Sequence, residues 1–68
     1  MKPEYFNFVL KPDGNIILSG NNISFSIGEV VTFFNGEQLI HVIIKKCFTV
    51  INNEMVVKNY FVERYEEK

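Results

Sequence analysis

The sequence predicts a small all-β domain, and three observations support this class. β-branched and aromatic residues dominate the chain, with eight Val, eight Ile and seven Phe, while Ala is absent. Such side chains fit the pleated surface of a strand better than a helix. Short apolar or alternating runs are separated by turn signals that contain Gly, Asn or Pro. The 68 residues leave room for one domain, residues 1–68, with five to seven short strands.

The first predicted element is a hairpin with its turn at residues 11–15. Pro12 presets φ for a turn, and Gly14 accepts the positive φ that a type I turn with a bulge requires. This turn separates a strand over residues 5–10 from a strand over residues 15–18. Side-chain alternation places three apolar residues on one face of the first strand: Phe6, Phe8 and Leu10.

Residues 19–22 form the next predicted loop. Residues 23–27 then alternate strictly between apolar and Ser, which predicts a strand with Ile23, Phe25 and Ile27 facing inward. Gly28 marks a bend, and residues 29–34 continue as another strand.

Asn35-Gly36 predicts a second hairpin, because both central residues of a type I′ turn need positive φ. A two-residue turn there places Thr32 opposite Leu39 and Val30 opposite His41. One face of this hairpin carries Ile27, Val31, Phe33, Ile40, Val42 and Ile44. The other face carries Val30, Thr32, Phe34, Leu39, His41 and Ile43. Both faces are largely apolar, whereas an antiparallel sheet usually exposes one polar side.

Asn52-Asn53 predicts a third hairpin by the same reasoning. Its register places Val50 opposite Met55, Phe48 opposite Val57, Cys47 opposite Lys58, Lys46 opposite Asn59 and Lys45 opposite Tyr60. The run from residue 37 to 51 is too long for one flat strand, so we expect a bend or bulge at Lys45-Lys46. Asn59 is a second expected interruption. Residues 63–68 are polar and are expected to form a fraying strand or one short C-terminal helical turn.

So few residues favour a small antiparallel barrel or curled sheet, SH3-like or OB-like, because closure protects strand edges that a flat sheet exposes. The stretch Ile27-Gly28-Glu29-Val30-Val31 is similar to the strand openings of many SH3-like barrels. That similarity covers five residues and implies a fold shape only, since it carries no functional residue.

Composition excludes several function classes. Seven Lys and Arg stand against eight Asp and Glu, for a formal net charge of -1, which argues against a strong electrostatic binder of nucleic acid or membranes. No apolar run approaches the roughly 20 residues of a membrane-spanning helix. The single cysteine excludes an internal disulfide and is compatible with a cytoplasmic protein. Half of the residues have AT-rich codons, which indicates a low-GC bacterium or its phage as the source.

No residue pattern predicts catalysis, a metal site or a cofactor. Cys47 and His41 fall on the same face if the strand is regular, but six extended residues separate them by roughly 20 Å. We therefore expect a buried thiol that acts as a small hydrophobic residue and a histidine at the sheet surface. The four glycines are spaced as turn residues rather than as a phosphate-binding loop.

The second apolar face of the Asn35-Gly36 hairpin is the main candidate site for binding a protein. Its candidate residues are Val30, Phe34, Leu39, His41 and Ile43. Three explanations for this face stay open: the N-terminal hairpin covers it, a homodimer buries it, or another protein docks on it. We expect a non-enzymatic protein-binding module, such as an accessory protein or inhibitor encoded by a phage or mobile element.

Binding of single-stranded nucleic acid is the alternative expectation, because small barrels use exposed aromatic residues beside basic ones. Its candidate residues are Lys45, Lys46, Lys58, Tyr60 and Arg64. Four glutamates in the same half of the chain weaken this alternative: Glu54, Glu63, Glu66 and Glu67.

Overall fold

A computed structural model describes residues 2–11 and 13–66 of the protein. It contains five strands: β1 (Glu4–Leu10), β2 (Asn15–Asn21), β3 (Val30–Phe34), β4 (Leu39–Ile51) and β5 (Val56–Arg64). They form one sheet with the order β2-β1-β5-β4-β3. This curled half-barrel confirms the predicted all-β class. Among the described residues there is no helix, and hence none long and apolar enough to cross a membrane.

The core lies on the concave face of the sheet. Its buried side chains come from the three central strands: Phe6, Phe8, Leu10, Ile40, Val42, Ile44, Tyr60 and Val62. Four aromatic rings occupy its centre, where Phe25 meets Phe8 edge-on with ring centroids 4.9 Å apart and Tyr60 with centroids 5.3 Å apart. Edge-to-face packing is a preferred arrangement of aromatic rings. A dense aromatic cluster therefore supplies the burial that so small a domain needs.

The N-terminal hairpin forms as predicted, but its second strand is longer. Gly14 has φ of 76° and its N–H donates to the Leu10 carbonyl oxygen at 2.7 Å, whereas Pro12 lies outside the described residues. β2 continues through the expected loop as far as Asn21. It also contains a bulge, since Phe8 pairs with Leu18 and Val9 with Ile16.

Residues 23–27 do not form the predicted strand. This segment belongs to the connection between β2 and β3, the two opposite edges of the sheet, and crosses the concave face. Phe25 packs against the core, and its backbone N–H donates to the Tyr60 hydroxyl at 3.1 Å. Ile23 and Ile27 are exposed, so the prediction that they face inward is wrong. Alternation in the sequence indicated a strand, but no strand of the described part of the chain pairs with this segment.

Both later hairpins have four-residue loops rather than the predicted two-residue turns. The Asn35 side chain accepts hydrogen bonds from the N–H groups of Glu37 and Gln38 at 2.8 and 3.0 Å. In the second loop, the Asn52 side chain likewise accepts hydrogen bonds from the N–H groups of Glu54 and Met55. These bonds stabilise a wider turn, and only Gly36 of the pair Asn35-Gly36 has positive φ.

The wider loops shift both predicted registers by two residues. Thr32 therefore faces His41 instead of Leu39. Phe48 likewise faces Asn59 instead of Val57. A shift of two keeps each side chain on its face, because strand side chains alternate with a period of two. The predicted faces of the β3–β4 hairpin are therefore confirmed, apart from Ile27.

The predicted irregularity at Lys45-Lys46 is confirmed as a β-bulge. Ile44 pairs with Val62 and Lys46 with Phe61, so Lys45 is the extra residue. The predicted pairings of Lys45 with Tyr60 and of Lys46 with Asn59 are wrong. Cys47 is the residue that faces Tyr60.

Asn59 does not interrupt β5, because a polar partner lies beside it. The Asn7 amide donates to the Asn59 side-chain oxygen at 3.0 Å. β5 extends to Arg64, and residues 65–66 are not helical. Residues 67–68 of the expected C-terminal turn lie outside the described residues.

One strand pair differs from the all-antiparallel prediction. β1 and β5 are parallel, with Phe8 level with Tyr60, while the other three pairs are antiparallel. This pair joins the β1–β2 hairpin to the β3–β4–β5 meander edge to edge. Within the described residues β2 and β3 do not pair, so the sheet curls without closing.

Candidate protein-binding surface

The five residues of the predicted protein-binding face lie together on the convex side of the sheet. Cross-strand pairing sets Val30 beside Ile43 and Phe34 beside Leu39, with His41 between these two pairs. Phe34 and Leu39 are 63% and 61% exposed, and Val30 is 43% exposed. These five residues are called the β3–β4 patch below. Solvent therefore contacts large apolar side chains on both sides of His41.

A polar pair lies in the middle of the β3–β4 patch. Thr32 Oγ1 and His41 Nδ1 share a hydrogen bond of 2.8 Å, with the donor set by the histidine tautomer. The Tyr65 N–H donates to the His41 carbonyl oxygen at 2.9 Å. These contacts restrain His41, so the apolar pairs lie on either side of an ordered polar centre.

Strand alternation explains why the β3–β4 patch is uncovered. Val31 and Phe33 of β3 point to the concave face and pack against the core, so their neighbours Val30, Thr32 and Phe34 point away from it. The N-terminal hairpin does not cover the convex side, because it joins the sheet through the β1–β5 pair instead of forming a second layer. The sandwich explanation of the apolar face is therefore wrong.

Carboxylates flank the β3–β4 patch. Glu63 of β5 lies level with Ile43, and Glu37 is in the loop that joins Phe34 to Leu39. Both glutamates are exposed. An apolar area with a charged rim is the usual composition of a protein interface.

The residues of the nucleic-acid alternative do not come together. Lys46 lies on the convex face, while Lys58 is on the concave side, where its ammonium is 3.6 Å from the Glu4 carboxylate. Tyr60 is 1% exposed, so its ring has no face for a nucleobase. Lys45 is the exposed bulge residue.

Arg64 lies apart from the lysines. It lines a cavity of about 170 Å³ together with Ile17 of β2 and with Phe33, Asn35 and Ile40 of the β3–β4 hairpin. This cavity marks the seam where the two edges of the half-barrel approach each other. The concave location of Arg64 follows from its pairing with the buried Val42.

Cys47 and His41 lie on opposite faces of β4. The bulge at Lys45 inserts one residue between them, so the expectation of a shared face is wrong. Cys47 packs partly buried against the core, and His41 is exposed on the convex side. Among residues 2–11 and 13–66, no group of three His, Cys, Asp or Glu side chains could hold a metal ion.

Sequence reasoning missed further features of the convex face. Phe48 and Phe61 stack edge-on with ring centroids 5.3 Å apart, and Phe48 remains exposed. A polar row crosses β2, β1 and β5. Ser19 Oγ donates to Asn7 Oδ1 at 2.7 Å, and the Asn7 amide donates to Asn59 Oδ1. The β1–β5 pairing that assembles this row has no local sequence signal.

Comparisons with protein-family models, with curated proteins and with solved structures found no match to this chain. The candidate function therefore rests on the surface geometry.

Proposed function

We propose that this protein is a small non-enzymatic binding module that docks a protein partner on its β3–β4 patch. The observation that carries the proposal is the exposure of Phe34 and Leu39 as a directly facing apolar pair on a face that residues 2–11 and 13–66 leave uncovered. Large exposed apolar areas on small soluble domains commonly mark interaction sites.

The patch offers apolar side chains that a partner could cover. Covering an exposed Phe or Leu side chain contributes roughly 1.5–3 kcal/mol each. Aromatic anchors surrounded by residues that exclude water supply most of the binding energy in protein interfaces. Phe34 and Leu39 are the proposed anchors, and Val30 and Ile43 are further apolar contacts on the other side of His41. The restrained His41 offers the partner a polar group at a fixed position.

The acidic rim indicates the chemistry of the partner. Glu37 and Glu63 would face charges on a bound surface, and like charges there would oppose binding. The proposed partner surface therefore combines aliphatic or aromatic side chains with flanking Lys or Arg. We place this binding in the cytoplasm, where the free Cys47 would stay reduced. An accessory protein or inhibitor of phage or mobile-element origin fits this size and codon usage.

Single-stranded nucleic-acid binding is the competing proposal, and it has less support. The burial of Tyr60 and the ion pair of Lys58 leave Lys45 and Lys46 as the accessible basic pair of that set on β4. If the double substitution Lys45→Glu with Lys46→Glu abolishes retention on a nucleic-acid column, this alternative takes priority.

Site-specific photocrosslinking in the native host tests the proposal. A photoreactive phenylalanine analogue at position 34 should give one dominant protein adduct. The same analogue at Asp13, in the exposed β1–β2 turn, is the matched control and should not give that adduct. Leu39→Glu should abolish the adduct at position 34 without changing the melting temperature, because Leu39 is exposed.

Two results would argue against this surface. Equal adducts from positions 34 and 13 would indicate non-specific capture. An unchanged adduct at position 34 in the Leu39→Glu protein would show that the facing pair is not the anchor.

A further inference from the structure

The second half of β4 has an open edge. β3 pairs with β4 only from Leu39 to Ile43, and the backbones of Gly28 and Glu29 extend this contact to Ile44. Beyond Ile44, β4 continues to Ile51 with β5 on one side and no strand of the described residues on the other. This open edge is distinct from the β3–β4 patch.

The hydrogen bonds at either end of the segment fix which backbone groups point outward. The Asn52 N–H donates to the Met55 carbonyl oxygen across the hairpin. Because backbone groups alternate in direction along a strand, Val50 and Phe48 also point toward β5. The N–H and C=O groups of Cys47, Thr49 and Ile51 therefore point to the open edge. Unpaired edge groups of this kind are a template for another strand.

The side chains along the same edge are mostly apolar, with Thr49 as the polar exception. Phe48 and Val50 are exposed on the convex side, and Ile51 is 67% exposed on the opposite side. Natural edge strands usually carry inward-pointing charges, prolines or bulges that prevent pairing. Residues 47–51 contain none of these protective features.

We infer that this edge pairs with the same edge of a second copy, antiparallel about a two-fold axis at Thr49. In that register Thr49 faces Thr49 of the second copy, and Cys47 faces Ile51. The outward-pointing N–H and C=O groups belong to these three residues. The two copies therefore form six backbone hydrogen bonds between them. Phe48 then lies opposite Val50 as a cross-strand pair on the convex side.

The charges at the ends of the segment match the same register. Lys46 lies level with Asn52 of the second copy, which brings the hairpin tip with Glu54 beside the Lys45-Lys46 bulge. The two-fold axis repeats this contact, so two clusters of opposite charge flank the paired strands. A second copy therefore matches the edge in backbone direction, in apolar side chains and in charge.

The pairing joins the two sheets edge to edge and sets both convex faces on the same side. Position 41 is eight residues from the axis, so the two β3–β4 patches would be separated by roughly 50 Å along the strands. The self-pairing does not depend on the proposed function, although a dimer of this form would present its docking surface twice.

Sedimentation of the wild-type protein is the first test. Across concentrations from about 1 µM to 1 mM, a range that covers moderate to weak association, the average mass should rise from 7.9 kDa toward twice that value. A constant monomer mass over the whole range would overturn the inference.

Disulfide crosslinking tests the register. Facing residues of a hydrogen-bonded antiparallel pair have Cα atoms about 5.5 Å apart, within the range for a disulfide. In a Cys47→Ser background, Thr49→Cys should therefore form a covalent dimer on mild oxidation. Lys46→Cys is the matched control, because the two copies of residue 46 lie roughly 20 Å apart in this register. Equal crosslinking of both variants would contradict the two-fold axis at Thr49.

Charge complementation tests the side-chain contacts. The double variant Phe48→Lys with Val50→Lys and the double variant Phe48→Glu with Val50→Glu should each be monomeric, since like charges then face each other. Their mixture should form a heterodimer, and failure to do so, with both variants folded, would refute the pairing. A monomer whose position 34 still crosslinks a partner would overturn only this inference, whereas a dimer without that adduct would overturn only the proposed function.

Discussion

Replacing Tyr60 by Phe should destabilise the fold through one hydrogen bond. The Tyr60 hydroxyl accepts the backbone N–H of Phe25 at 3.1 Å, and this bond adds a polar attachment of the crossing segment to the packing of the Phe25 ring. The phenyl ring of the variant keeps the aromatic packing with Phe6 and Phe8. The substitution therefore isolates the polar contact from the apolar one.

The expected cost follows from the groups left behind. A net intramolecular hydrogen bond contributes about 0.5–1.5 kcal/mol, and an unpaired, partly buried N–H adds to the loss. We expect Tyr60→Phe to lower the free energy of unfolding by about 1.5 kcal/mol. For a domain of 60–100 residues this corresponds to a fall in melting temperature of roughly 6–12 °C.

Thermal and urea denaturation followed by circular dichroism measure this loss. Tyr65→Phe is the matched control, because Tyr65 is exposed and its loss of a hydroxyl should change stability by less than about 0.5 kcal/mol. Hydrogen exchange should also show faster exchange of the Phe25 amide in the Tyr60→Phe protein. An unchanged melting temperature together with unchanged exchange at Phe25 would refute the assigned role of the hydroxyl.

Three further substitutions probe other parts of the fold. Gly20→Ala should cost about 1–3 kcal/mol in urea denaturation, because its Cβ would lie 2.7 Å from the buried Phe6 ring; in a Phe6→Leu background the added cost should largely disappear. Asn52→Ala should cost about 1–2 kcal/mol, since two loop N–H groups lose their acceptor, and an unchanged urea midpoint would contradict this. Phe33→Ala should cost about 3 kcal/mol, while Phe34→Ala, on the exposed face, should cost less than about 0.5 kcal/mol; equal losses would refute the assignment of faces.

Local sequence patterns predicted which face of a strand each side chain lies on better than they predicted which residue pairs with it. The Asn35-Gly36 signal correctly located a hairpin, but the Asn35 side chain widened the loop and moved the register by two residues. The predicted surface survived this error because a two-residue shift preserves the face of Phe34 and Leu39. A register change of one residue moves a side chain to the other face. The bulge at Lys45 does this to Cys47.

Long-range contacts were not predictable from the sequence in the same way. The alternation of residues 23–27 indicates a strand, yet Phe25 belongs to a crossing segment held by the distant Tyr60. Nothing local to β1 or β5 signals that they pair in parallel. The side-by-side position of Asn7 and Asn59 follows from that pairing alone.

The position of β5 determines when the core can form during synthesis. β5 follows the other four strands along the chain, yet it lies in the middle of the sheet between β1 and β4. Phe8 lies in β1 and Ile44 lies in β4, and only β5 connects these two strands in the sheet. Until β5 has left the ribosome, the two halves of the core therefore cannot meet. Contacts between distant parts of a chain also form slowly. A growing chain therefore carries its first four strands unassembled until β5 has emerged, and we expect removal of β5 to abolish folding rather than weaken it.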